Sequence, residues 1–228
     1  MKINRLLSRV LVSGLMIFNS LNLLTMHNPH NNHHNNHYRY DEASVVIWTS
    51  WDNNYTKWVL LARESYGNND VRGTWDCFGG GRNKGENHPA ITAGRELHEE
   101  TAGALLTKDF LINKLKPESF IRDTIGKRQT KTATYIVKFH NHALTNLTKN
   151  FYDALQNPNL TREYKEKDCL AWVRYDVLKN AIDNAINNNS VFVKGNIVNW
   201  RDTSRNAQIK NQSLKLRPFF VRKLKNRL

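Results

Sequence analysis

Cysteine is scarce in this 228-residue chain: Cys77 and Cys169 are the only two. Two thiols exclude a disulfide framework and a four-cysteine zinc site, and leave at most one bridge, between the two of them. Acid is short as well. Asp and Glu number 20 against 34 Lys and Arg, a formal net charge of +14, and no acidic residue follows Asp202. That balance excludes an acidic disordered tail protein. It favours an anionic partner (nucleotide, nucleic acid or lipid headgroup) without choosing among them. Long apolar runs are missing too, and with 39% hydrophobic residues a multi-span membrane protein is excluded. What remains is a globular domain of about 150–200 residues with some chain left over.

The left-over part lies at the N-terminus. Lys2, Arg5 and Arg9 precede an apolar run, residues 10–18, which Ser13 and Gly14 interrupt and which continues unevenly past Asn19, Ser20 and Asn22. Residues 1–26 therefore read as a signal peptide or an N-terminal membrane anchor, too broken for an ordinary transmembrane helix and with no clear small-x-small cleavage site. The expected location is secreted, periplasmic or membrane-anchored, and cytoplasmic if that reading fails. Residues 27–41 hold five histidines among asparagines and read as a polar linker rather than a metal-binding tract. Residues 42–228 are then the domain, ending in a basic tail.

Along that domain, residues 43–51 and 57–63 are rich in β-branched and aromatic residues and read as a hairpin about a turn at Asp52, Asn53 and Asn54. Residues 75–78 are a short apolar piece running into Gly79, Gly80 and Gly81. Residues 89–101 have helical composition, with Pro89 in the first turn and Gly103 just past the end. Residues 130–140 alternate like a strand, and 143–156 suit a short helix. Strand 169–173 and helix 176–186 follow, the latter with Leu178, Ala181, Ile182 and Ala185 on one face. Late strands are expected at 191–198 and 213–216, then a basic helix or tail from 219 to 228. Strands and helices mix without strict βαβ alternation. The expected fold class is α+β, an α/β/α sandwich on a mixed β-sheet.

Chemistry concentrates in residues 78–103, FGGGRNKGENHPAITAGRELHEETAG. A P-loop is excluded, because Glu86 and not Lys follows Gly85; a zincin is excluded, because Ala102 stands four residues after His98. A glycine loop feeding an acidic helix is left. On a helix that starts near Pro89, Glu96 and Glu100 are i,i+4 and Glu96 and Glu99 are i,i+3, so their carboxylates project from one side. Three such carboxylates repel one another unless a cation neutralises them, and hard oxygen donors with room for water suit Mg²⁺ or Mn²⁺. Arg95 stands four residues before Glu99 and within reach of Glu99 or Glu86. The glycines let backbone N–H and C=O groups approach a metal or a phosphate.

These residues resemble the Nudix box, a Gly, five residues, a Glu, seven residues and then Arg-Glu-apolar-x-Glu-Glu. Gly80 and Glu86 match its opening, and Arg95, Glu96, Leu97, Glu99 and Glu100 match its core. The chain departs at three points. Eight residues separate Glu86 from Arg95, Ala102 takes the place of a Gly, and Phe78 that of a Pro. Pro89 keeps the usual distance to the Arg, which puts the extra residue at Asn87–His88 and preserves helix register. Gly103 comes one place late, so the helix is expected to run one residue longer.

The resemblance implies a Mg²⁺-dependent hydrolase that cleaves the pyrophosphate of a nucleoside diphosphate linked to another group. Glu96, Glu99 and Glu100 would hold the metal with the Gly79 carbonyl, and Glu86 and Arg95 would brace the loop. Glu96 is the first candidate for general base. Glu163 and Glu166 are candidates for an additional acid. Arg63 and Gly80 are candidates for substrate binding, and Trp48, Trp51 and Tyr66 for stacking on a base, although Trp48 alternates with Val46 and suits the core. Two other functions stay open: RNA 5′-end (cap or triphosphate) pyrophosphohydrolysis, and nucleotide or RNA binding without turnover. Arg217, Arg222, Lys223, Lys225 and Arg227 would suit an RNA backbone or a membrane surface, or simply be a solvated tail.

Overall fold

The computed structural model describes residues 39–50, 56–125, 129–140, 144, 146–185, 190–198, 208–225 and 227–228. The signal or anchor reading of residues 1–26, most of the linker, the first hairpin turn and Trp51 lie outside the described residues. Strand β1 (Glu42–Ser50) is buried along most of its length. It has neighbours on both edges, and both its faces are covered, which is why Val45 to Trp48 are continuously apolar rather than alternating. On one edge it pairs in parallel with β6 (Thr130–Lys138), itself in a hairpin with β5 (Phe120–Ile125). On the other edge β1 changes partner at its middle. Glu42 to Val45 pair with β4 (Phe78–Gly81), whereas Ile47 to Ser50 pair with β2 (Lys57–Glu64). The glycine loop is therefore seated as a strand in the fork where β2 leaves β1.

Past the fork, β2 pairs with β7 (Lys167–Arg174) and with the two-residue β3 (Trp75–Asp76). The hairpin of β8 (Val191–Val198) and β9 (Gln208–Leu216) joins β7 on one side and meets β3 on the other, at Trp75 and Leu216. Strands β2, β7, β8, β9 and β3 thus close on one another within a nine-stranded mixed sheet.

Helices cover both faces. Helix α1 (Pro89–Glu100) packs on β1, β4 and α2 (Lys108–Leu115). On the opposite face α4 (Tyr175–Asp183) and α5 (Pro218–Leu224) bury Leu178, Ile182, Phe220, Val221 and Leu224 against Val46, Val59, Leu61, Ala171, Val173 and Leu214. Helix α3 (Leu147–Leu155) buries Leu147 and Phe151. The fold is the mixed-sheet α+β sandwich that the sequence suggests.

Four details differ from expectation. Helix α2 and strand β5 were not foreseen, and β9 begins at Gln208 rather than at 213. Helix α1 is not lengthened. It ends at Glu100, Ala102 takes the left-handed φ of 53°, and Ala102 N–H and Gly103 N–H donate to the Glu99 and His98 carbonyls at 2.9 and 2.8 Å. This is a Schellman turn with alanine where glycine is usual. Of the two readings open for the basic C-terminus, helix or tail, the helix is the one found. Lys225 donates to the Ala185 carbonyl, Arg227 pairs with Asp123, and Lys223 is buried. Cys77 and Cys169 are both buried and unbridged. No helix among the described residues is long and apolar enough to cross a membrane.

Candidate active site

His88 starts α1. Its Nδ1 accepts from Ala90 N–H at 3.1 Å, and Pro89 fills the first turn, where its missing N–H is not needed. From there 3.6-residue periodicity turns Ala90, Ala93 and Leu97 into the core and brings Arg95, Glu96, Glu99 and Glu100 towards the glycine strand.

Glu86 and Arg95 meet despite the extra residue between them. Arg95 Nε donates to Glu86 Oε1 at 2.8 Å, and Glu86 Oε2 accepts from Thr92 Oγ1 at 2.5 Å and from Asn83 N–H at 2.9 Å. Burial pushes the Glu86 carboxyl up, but these donors together outweigh it and hold it below its ordinary value. Arg95 reaches further. Its Nη2 donates to the Gly81 carbonyl at 2.8 Å, and its Nη1 lies 2.7 Å from Glu96 Oε1 and 2.9 Å from Glu99 Oε2. One guanidinium thus ties the loop, its bracing acid and two helix acids together.

Glu96 is 9% exposed. Burial raises its carboxyl to about 7, against the pull of Arg95, and the charges of Glu99 and Glu166 add to the rise. Its carboxylate fills the space beside Gly80, where a Cβ would stand 2.7 Å from all three carboxyl atoms. Glu100 is 3% exposed, with Oε2 accepting from Gly79 N–H at 2.6 Å and Oε1 3.0 Å from Lys167 Nζ. Burial and the charge of Glu64 push it up to about 8, against the attraction of Lys167.

Lys167 was not a candidate from sequence. It is 1% exposed and sits 2.6 Å from Glu64 Oε1, across the β2–β7 register. Burial disfavours its charge, but Glu100 and Glu64 prevail and its pKa rises. Glu64 and Asp76 also share Arg217 Nη1, at 2.9 and 3.2 Å. No sequence signal marks Lys167: the ladder shifts register between Arg63 and Glu64, so Lys167 pairs opposite Glu64 and leaves the face on which Cys169, Ala171 and Val173 meet the core.

The remaining candidates scatter. Glu166 stands close enough to raise Glu96, whereas Glu163 is exposed in the single turn Glu163–Lys165. Arg63 forms a two-pronged pair with Asp168, 2.8 and 3.2 Å, at the wall of a cavity of about 430 Å³. Trp48 packs partly buried against the core, with Lys57 and Lys138 over its ring. Tyr66 is exposed and carries Arg162 on its face.

The NUDIX domain model matches residues 41–192. The chain belongs to the Nudix family. No curated protein matches it. Among solved structures, a mutT/nudix family protein from Listeria innocua is 16% identical, covering 61% of this chain and 80% of that one with a TM-score of 0.35. A C. elegans Ap4A hydrolase is 17% identical, covering 59% and 80%, with a TM-score of 0.37. The Nudix domain of Shewanella oneidensis NrtR, complexed with ADP ribose, is 17% identical, covering 62% and 77%, also at 0.37.

Nudix hydrolases use divalent cations, and the residues here can be tested against one. Among the described residues no three His, Cys, Asp or Glu side chains are grouped as a ready metal site, because Arg95 and Lys167 stand between the acids. The donors nevertheless fit a hard dication. Glu96 and Glu99 already converge on a single point, Arg95 Nη1, with carboxylate oxygens only. The acids also outnumber their cations: Glu64, Asp76, Glu86, Glu96, Glu99, Glu100 and Glu166 surround Arg95, Lys167 and Arg217.

Proposed function

We propose that this chain is a Nudix hydrolase that cleaves the pyrophosphate bond of a nucleoside diphosphate linked to another group, with Mg²⁺ or Mn²⁺. The observation that carries this reading is the convergence of Glu96 and Glu99 on one cationic point beside the bare backbone of Gly80. Glu96 and Glu99 would hold the dication, and Glu166, close enough to act on Glu96, would add a further carboxylate. Such a cation supplies neutralisation of pyrophosphate oxygens and acidification of water.

The chain's own groups do the rest. Glu86 and Arg95 fix the loop to the helix, so that the glycine strand presents backbone to the substrate without a side chain in the way. Glu100 locks Gly79 to α1 and is itself held by Lys167, which makes it an anchor first and a metal ligand second. Glu96, beside Gly80, would accept the proton of the attacking water.

A screen of the purified chain with Mg²⁺ tests this reading. The substrates are nucleoside triphosphates, dinucleoside polyphosphates, nucleotide sugars, ADP-ribose and capped RNA. The expected result is metal-dependent release from at least one of them, lost in Glu96→Gln and Glu99→Gln while the fold is kept. Release that persists in both variants, or no release from any substrate, refutes it.

A further inference from the structure

Residues 217–223 lie beyond the stretch that the family model matches, yet they reach the glycine loop. A cavity of about 150 Å³ lies against Gly79 and Gly80, walled by Ser44, Cys77, Arg217 and Lys223. Lys223 is only 5% exposed. Its ammonium carries three donors. One goes to Ser44 Oγ at 3.1 Å, and the Phe219 ring lies 4.8 Å away. Among the described residues no carboxylate is within ion-pair distance of it. A buried ammonium without an ion-pair partner is costly to keep. The two acids on the cavity wall do not answer it: Asp76 pairs with Arg217, and Glu42 is partly exposed at the start of β1. Lys167, the other buried lysine of this region, has two carboxylates within 3.0 Å. Lys223 therefore differs in kind: it is charge held in reserve.

We propose that Lys223, with Arg217 beside it, receives a phosphoryl group of the substrate in this cavity. The inference rests on the diphosphate reading above and adds to it a recognition element that this chain supplies from its C-terminal helix. The cavity is below the roughly 300 Å³ of ordinary small-molecule pockets, so it suits an anion of phosphate size and not a nucleoside. Lysine serves such a group as a compact point charge. The glycine strand stands between the cavity and the acids, with Gly79 turned to Ser44 and the cavity and Gly80 turned to Glu96, so a substrate whose phosphoryl group meets Lys223 would reach the acids around the edge of β4 where Gly79 N–H meets Glu100.

Calorimetry with inorganic pyrophosphate, on the full chain in EDTA, tests the cavity apart from any metal. Wild type is expected to bind, and Lys223→Met to bind about tenfold more weakly or worse. Arg222→Met, which removes a charge from an exposed position of the same helix, is expected to bind like wild type. Equal affinity in Lys223→Met, an equal loss in Arg222→Met, or no binding by wild type overturns the proposal. With any substrate that wild type hydrolyses, Lys223→Met should raise KM, and Arg222→Met should not. Hydrolysis with an unchanged KM in Lys223→Met sinks the cavity and leaves the enzyme. Lys223-dependent pyrophosphate binding without hydrolysis of any substrate does the reverse. If Lys223→Met fails to fold, a wild-type crystal grown with pyrophosphate decides: the anion at Lys223 supports the assignment, and any other position, or none, refutes it.

Discussion

Gly79 and Gly80 are neighbours with opposite reasons for being glycine, and substituting each by alanine separates fold from function. At Gly80 a Cβ would stand 2.7 Å from Cδ, Oε1 and Oε2 of Glu96, where ordinary contact begins near 3.4 Å. The Glu96 carboxylate must retreat by about 0.7 Å, the difference of those two distances. It is the free end of a side chain, so it can retreat, and Gly80 is in a strand without a left-handed φ. Stability should change by about 1 kcal/mol or less. The metal pair and the proton acceptor are spoiled, however, and misplacement by about 1 Å costs on the order of 10²-fold in rate. At Gly79 the φ is +153° and a Cβ would meet the Ala43 carbonyl at 2.5 Å and Ser44 Cβ at 2.4 Å. Neither backbone nor Cβ can step aside, so Gly79→Ala should unseat β4 from β1 at a cost of roughly 3 kcal/mol or more. Urea denaturation followed by tryptophan fluorescence, Mn²⁺ calorimetry and kcat on the best substrate check both. Wild-type Mn²⁺ affinity and turnover in Gly80→Ala, or wild-type stability in Gly79→Ala, would refute the reasoning.

Three further outcomes are expected. Without dications the chain should lose stability as pH rises from about 5 to 8. Glu96 and Glu100 carry folded pKa values of about 7 and 8 against 4.5 unfolded, so the folded state binds the extra protons and is favoured below that window. Glu96 alone accounts for about 3 kcal/mol; Glu86, with its lowered pKa, opposes this only as pH falls below about 4.5. Denaturation curves across pH in EDTA measure the slope, and Glu96→Gln should flatten it. Ala102→Gly relieves a left-handed alanine and should stabilise by roughly 0.5–1 kcal/mol, read as an upward shift in Tm. Lys167→Met removes the buried cation that Glu64 and Glu100 share and should cost about 3–5 kcal/mol in urea titration above pH 8, where Glu100 is ionised.

The acidic helix and its glycine loop were legible because their information is local: cap, proline, i,i+3 and i,i+4 spacing all lie within a few residues. The hairpin of β1 and β2 was legible for the same reason. Helix α2 was not, since only Leu111 and Leu115 of its eight residues are buried and no stripe emerges. Strand β5, with Arg122 and Asp123 in a run of six, is mostly partly exposed and lacks a clean alternation. The C-terminal helix stood only as one of two readings, helix or tail, because its charges interrupt Phe220, Val221 and Leu224. Arg217 finds Glu64 across 153 positions and Arg227 finds Asp123 across 104, pairings that no local pattern announces. Lys167 stood in a charged run, Glu166 to Asp168, that reads as solvated until the sheet is closed around it.

That closure has a consequence for trimming the protein. The family model stops matching at residue 192, just inside β8, yet β9, α5 and the residue between them furnish Leu214, Leu216 and Phe220 to the interior and Arg217 to Glu64 and Asp76. A version cut at the limit of recognisable kinship would strip one wall from its own hydrophobic centre and leave acids uncovered.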